Sequence, residues 1–120
     1  MRPHEKLKLW ERAIDFVITL YSLTASFPKE ERFGLISQLR RAAISIPANV
    51  AEGAGRQSPK EFVHFLSNAQ GSASELATEL LIAQRLGYLQ RHEYVSASDE
   101  LDQIGRMIVG LTRTVKASNK

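Results

Sequence analysis

The sequence contains no cysteine, so the protein has no disulfide bond and no thiolate metal ligand. It also contains no uninterrupted apolar run of the length that spans a bilayer. Residues 1–16 mix charged with apolar side chains, which is not the pattern of a signal peptide. We therefore expect a cytoplasmic protein without a membrane partner.

The sequence has no strand-like alternation, no internal repeat and no low-complexity segment. Its 120 residues are 43% hydrophobic and 24% charged, which is ordinary for a globular protein. This length predicts one domain, spanning residues 1–120, with a sizeable core.

Apolar residues recur every three or four positions in four stretches. This spacing predicts helices over residues 7–26, 35–54, 59–86 and 92–117. The third start is the clearest, because Ser58 can cap the helix, Pro59 suits its first position and Glu61 completes a capping box. Short links between long helices predict an all-α fold, an antiparallel up-down-up-down four-helix bundle.

The second helix carries two stripes side by side. The apolar stripe consists of Leu35, Leu39, Ala42, Ile46, Val50 and Gly53, and the polar stripe of Gln38, Arg41, Ser45, Asn49, Glu52 and Arg56. Pro47 lies inside the segment, where we expect a kink or a local break. Gly53 and Gly55 are expected to end the helix.

The polar stripe has two interpretations. If the second and third helices form a hairpin about residues 56–58, Arg41 lies level with Glu75, and an interhelical ion pair is expected. The stripe would then stabilise helix packing or a subunit interface through Gln38, Arg41, Ser45, Asn49, Glu52 and Glu75. Alternatively, arginines bind phosphates, and the tentative nucleic-acid-binding residues are Arg40, Arg56 and Lys60, since Arg40 and Arg56 lack an obvious acidic partner.

The charge of the chain is mildly basic, with a formal net charge of +3. Residues 34–60 carry four basic residues and one acidic residue, whereas residues 61–90 carry three acidic residues and one basic residue. These neighbouring segments are expected to neutralise each other in part before an outside polyanion is bound.

Sequence features of enzymes are scarce. Glu61 and His64 have the Glu-x-x-His spacing of carboxylate-bridged metal bundles, but no second copy is present. No serine lies in a strand-turn-helix elbow with a histidine and an acid. We therefore expect a non-enzymatic protein with no metal and no cofactor.

Four aromatic side chains fall near the predicted helix ends: Trp10, Tyr21, Phe33 and Tyr88. Aromatic residues at such positions more often pack over the mouth of a bundle, although stacking on nucleic-acid bases is the other option.

A longer pattern includes Gln38 to Gly53 (QLRRAAISIPANVAEG), Arg56 and then Phe62 to Leu76 with Gly71-Ser72 and Glu75. It resembles the four-helix-bundle proteins of intervening sequences in bacterial 23S rRNA genes and the related accessory protein of diversity-generating retroelements. The resemblance covers nearly the whole chain. It implies a bundle that assembles as a homopentameric barrel, and the retroelement relatives use a basic barrel surface to engage nucleic acid and a reverse transcriptase.

These observations favour an oligomeric helical-bundle protein that binds rRNA or another nucleic acid through arginine-containing surfaces. The alternative is a protein-interaction or assembly module with no nucleic-acid role, in which the polar stripe is an interface.

Overall fold

Four α-helices account for most of the computed structural model, which describes residues 2–118, apart from the side chain of Lys6. They are α1 (Lys8–Thr24), α2 (Leu35–Ala54), α3 (Pro59–Arg85) and α4 (Arg91–Ala117). Short 3-10 turns at Pro3–Lys6 and Lys29–Glu31 precede α1 and α2. The bounds agree with the predicted helices to within two residues, and no strand occurs over this range.

The helices pack as a ring in which each borders two others. α1 contacts α2 and α4, and α3 contacts the same two, with α2 and α3 packing together most extensively. The apolar stripes turn inward to form one core, whose largest fully buried side chains include Leu20, Leu39, Ile46, Leu66, Leu76, Leu80, Ile104 and Ile108. The result is an elongated four-helix bundle of 49 × 22 × 21 Å.

The order of α2 and α3 follows from their contacts. Ser45 meets Ser72, whereas Gly53, further along α2, meets Phe62 and Phe65, nearer the start of α3. Residue numbers rise on one helix as they fall on the other, so α2 and α3 are antiparallel. The up-down-up-down order of all four helices stays a prediction.

The helix ends explain where the links lie. The Ser58 hydroxyl accepts a hydrogen bond from the Glu61 N–H at 3.3 Å, which caps α3 as predicted. At the other end, Gly87 has a φ of +82°. The N–H of Gly87 donates to the Gln84 carbonyl and that of Tyr88 to the Ala83 carbonyl, a Schellman motif that ends α3.

Helix α2 departs from its prediction at Gly53, whereas Gly55 ends it as expected. The helix runs unbroken through Pro47, so the local break is not formed, and the alternative of a kink stays a prediction. Gly53 does not end the helix: a Cβ there would lie 2.9 Å from Phe62 Cδ1 and from Phe65 Cβ. This glycine instead allows α3 to approach α2, and the helix ends at its cap residue Gly55. No helix among the described residues is long and apolar enough to cross a membrane.

Candidate nucleic-acid interface

Part of the polar stripe on α2 joins helices inside the bundle. The Ser45 and Ser72 hydroxyl oxygens lie 2.7 Å apart and connect α2 to α3. Asn49 Nδ2 donates to the Ser45 carbonyl at 2.8 Å and to the Ser45 hydroxyl at 3.0 Å. Gln38, at the other end of the stripe, is exposed. The centre of the stripe therefore holds a polar cluster between the two helices.

The predicted ion pair between Arg41 and Glu75 is not formed. Both side chains are exposed, and none of the salt bridges found among residues 2–118 includes either of them. The hairpin places the two residues at a similar level, but the rotation of the helices turns Ser45 and Ser72 toward each other instead. Arg41 is consequently available at the surface.

The buried acid on α3 is Glu79. It is 5% exposed, and its Oε1 has no hydrogen-bond partner within residues 2–118. The pKa of Glu79 is raised to about 7, mainly because burial disfavours the charged carboxylate. A hydrogen bond with the Glu75 side chain and the like charge of Glu75 raise this pKa further, whereas the positive charge of Arg41 lowers it. The spacing was informative: Glu79 lies three residues after Leu76 and four before Ala83, on the apolar stripe.

Arg56 was predicted to lack an acidic partner, and that prediction was wrong. Its guanidinium lies 3.2 Å from a Glu52 carboxylate oxygen and 3.6 Å from one of Glu61, and it covers the Phe65 ring at 5.0 Å. Glu52 is one helical turn before Arg56, so the first contact follows from i,i+4 spacing. Lys60 is exposed beside this group, but two carboxylates already neutralise the neighbouring arginine.

Arg40 is held against α1 by three interactions. Its guanidinium carbon lies 4.2 Å from the Tyr21 ring centroid, its Nε donates to Thr24 Oγ1 at 2.9 Å, and its Nη2 donates to the Tyr21 carbonyl at 3.3 Å. Within residues 2–118 no salt bridge includes Arg40. Since a guanidinium has five N–H donors, several remain for an outside acceptor.

Arg40 belongs to a shallow surface depression of about 490 Å³, here called the arginine–aromatic groove. It is lined by Tyr21, Arg32, Phe33, Ile36, Ser37, Arg40, Arg41 and Ile44. None of these side chains, all in the described part of the chain, is acidic. The groove therefore combines three arginines with two aromatic rings.

The acid closest in sequence to Arg32 is already engaged elsewhere. Glu31 accepts hydrogen bonds from the Tyr88 hydroxyl and from the Leu35 N–H, each at 3.1 Å. Arg32 itself lies over the Phe33 ring, 5.4 Å from its centroid. The carboxylate of Glu31 is thus bound to Tyr88 and to the first residue of α2.

The aromatic residues divide between the core and the surface. Trp10 and Tyr88 are partly buried and pack against the core. Phe33 is 89% exposed and Tyr21 is 40% exposed, and both line the arginine–aromatic groove. The expected packing over the bundle therefore holds for Trp10 and Tyr88, whereas Tyr21 and Phe33 lie at the surface.

A wider depression lies between α3 and α4, with a volume of about 670 Å³. It contains Asp102 beside Arg106 and Arg113, and no aromatic ring lines it. Mixed charge makes it a poorer match to a polyanion than the arginine–aromatic groove. Over residues 2–118 no three histidine, aspartate or glutamate side chains converge to hold a metal ion.

Comparisons with known proteins agree with this architecture. The crystal structure of a protein of unknown function from the S23 ribosomal protein family of Bacteroides thetaiotaomicron is similar in fold, with a TM-score of 0.80. The two sequences are 24% identical, and the match covers 87% of this chain and 97% of that chain. No curated protein matches the sequence. The family model described as 23S rRNA-intervening sequence protein matches residues 5–110, and the chain therefore belongs to that family.

Proposed function

We propose that this protein is a non-enzymatic, cytoplasmic, self-associating bundle that binds RNA or another nucleic acid through the arginine–aromatic groove. The supporting observation is that Arg32, Arg40 and Arg41 converge on one groove whose lining contains no acid. Phosphates are the polyanion groups that arginine binds best, because the planar guanidinium can donate two parallel hydrogen bonds.

Binding then depends on Arg32, Arg40 and Arg41 rather than on the predicted set of Arg40, Arg56 and Lys60. Arg40 keeps its predicted role, and Arg41 joins it because it is exposed and without a salt bridge in the range 2–118. Arg56 and Lys60 are not part of the proposed site, because Glu52 and Glu61 neutralise Arg56 and Lys60 lies beside that group rather than in the groove. Binding through three phosphate contacts predicts a slope of about −2 in a plot of log affinity against log salt concentration for each groove.

The test is binding of a labelled, structured RNA by fluorescence anisotropy over a range of salt concentrations. Arg32→Gln and Arg41→Gln should each weaken binding and make the salt slope shallower by about one contact. Arg56→Gln is the matched control, because it also removes one arginine from the surface, and it should change affinity little. Undetectable affinity at low salt, or an equal loss in all three variants, would refute the proposal.

Self-association is the second part of the proposal. Outside the arginine–aromatic groove, exposed large apolar side chains include Ile14 and Ile18 on α1, Leu81 and Ile82 on α3, and the α3 cap residue Leu86. Surfaces of this kind are commonly covered by a protein partner, and the family resemblance implies a homopentamer. Light scattering should then give a mass of five times the 13.4 kDa chain. A monomer at micromolar concentration would contradict this part alone.

The same apolar side chains support the competing function, an assembly module with no nucleic-acid role. In that function the arginines would contact other protein chains. Arg41→Gln would then change the mass measured by light scattering. A variant with unchanged mass and weakened RNA binding would exclude the assembly function as the sole role of Arg41.

A further inference from the structure

We propose that the arginine–aromatic groove binds unpaired nucleotides, with a base stacked on Phe33 and the adjoining phosphates on Arg32, Arg40 and Arg41. This inference rests on the proposed nucleic-acid function and specifies which form of nucleic acid the groove accepts.

Phe33 supplies the stacking surface. It is 89% exposed, the largest exposed fraction among the large apolar side chains of residues 2–118. It lies between the 3-10 turn Lys29–Glu31 and the start of α2, so the backbone on both sides is ordered by regular structure. An apolar ring held in solvent by ordered backbone can accept a base without first leaving the core.

Tyr21 has a different role from Phe33. Arg40 covers the Tyr21 ring at 4.2 Å and is itself bound to Thr24, so this aromatic side chain positions an arginine. Arg40 lies on α2, five residues after Leu35 at the start of that helix, and both Arg40 and Phe33 line the arginine–aromatic groove. The stacking ring and the phosphate-binding arginines thus lie close enough for neighbouring parts of one strand to contact both.

Base accessibility favours a single strand over a duplex. Bases inside a duplex are stacked on one another and cannot reach an aromatic side chain on a protein surface, whereas unpaired bases can. The three arginines alone would bind either form through its phosphates. The exposed ring beside them gives the single strand an additional contact that the duplex lacks.

The test compares a short single-stranded RNA, the same strand annealed to its complement, and polyglutamate, each by fluorescence anisotropy at fixed salt. Phe33→Leu keeps an apolar side chain but removes the ring. It should weaken single-strand binding by about 5- to 100-fold, leave duplex binding unchanged and keep the salt slope. Phe33→Tyr keeps an aromatic ring and should retain most of the affinity of the unaltered protein for the single strand. Val95→Ala, at an exposed apolar side chain on α4, is the control and should have no effect.

Three results would overturn this inference while leaving nucleic-acid binding intact. They are equal affinity for single strand and duplex, unchanged single-strand binding by Phe33→Leu, and a loss of single-strand affinity in Phe33→Tyr as large as in Phe33→Leu. Binding of polyglutamate with the same dependence on Phe33 would identify an acidic protein segment as the ligand and refute the stacking role. If the unaltered protein binds neither RNA form, the proposed function itself fails. Circular dichroism of each variant confirms that the bundle is folded.

Discussion

Replacement of Glu79 by glutamine should stabilise the protein at pH 8 and change its stability little at pH 4. The Glu79 carboxyl has a pKa of about 7 in the folded chain against 4.5 for an unperturbed group, because it is buried and hydrogen-bonded to Glu75. The folded protein therefore keeps a proton that the unfolded chain releases. The contribution of this proton is complete below pH 4.5, declines as pH rises and is lost above about pH 7.

The size of the effect follows from the two pKa values. The separation between 4.5 and about 7 corresponds to a loss of about 3 kcal/mol in the free energy of unfolding. Glutamine resembles the protonated acid in shape and stays neutral at every pH. Glu79→Gln should thus recover about 1–3 kcal/mol at pH 8, which corresponds to a Tm higher by roughly 4–12 °C.

The assay is urea unfolding followed by circular dichroism at several pH values between 4 and 8, at one protein concentration because self-association adds to stability. Two neighbouring variants check the cause. Glu75→Gln removes a group that raises the pKa of Glu79 and should reduce the pH dependence, whereas Arg41→Gln removes one that lowers it and should increase the pH dependence. Parallel curves for the unaltered protein and Glu79→Gln, or a less stable variant at pH 8, would refute the reasoning.

Two further stability predictions follow from α2 and α3. Gly53→Ala should destabilise the bundle by about 1–3 kcal/mol, because its Cβ would lie 2.9 Å from Phe62 Cδ1. Gly71→Ala is the matched control: its Cβ would meet no atom of the described residues within 4 Å, so urea unfolding should show a gain of about 0.5–1 kcal/mol. Ser58→Ala should lower the free energy of unfolding by about 0.5–2 kcal/mol through loss of the cap on α3, and an unchanged value would show that the cap contributes nothing.

The helices could be predicted from the sequence because their signals are local. Apolar spacing, the cap at Ser58 and the glycine at position 87 each act within one or two helical turns. The rotation of one helix against another is not local. For this reason the sequence predicts the height of Arg41 along the hairpin, but it does not predict which side chain of α3 Arg41 faces, and the expected ion pair with Glu75 was wrong.

The candidate site was predictable in part. Arg40 was identified because the sequence offers it no acid, and the structure places no salt bridge on it within residues 2–118. The prediction for Arg56 was wrong although its signal is local, because a glutamate four residues earlier, Glu52 on α2, is placed to form an ion pair with it. The grouping of Arg32 and Phe33 with Arg40 required the path of the chain between α1 and α2, which no sequence period encodes.

The attachment of Arg40 to Thr24 also affects the entropy of ligand binding. Thr24 is buried, its hydroxyl donates to the Leu20 carbonyl at 2.7 Å, and the same oxygen accepts from Arg40. The long arginine side chain therefore gives up its rotamer freedom when the bundle folds. Immobilising such a side chain at an interface costs about 0.5–1.5 kcal/mol, and an anion that binds Arg40 avoids most of that cost. Folding thus prepares this arginine in advance, whereas the exposed Arg41 must be ordered by the ligand itself.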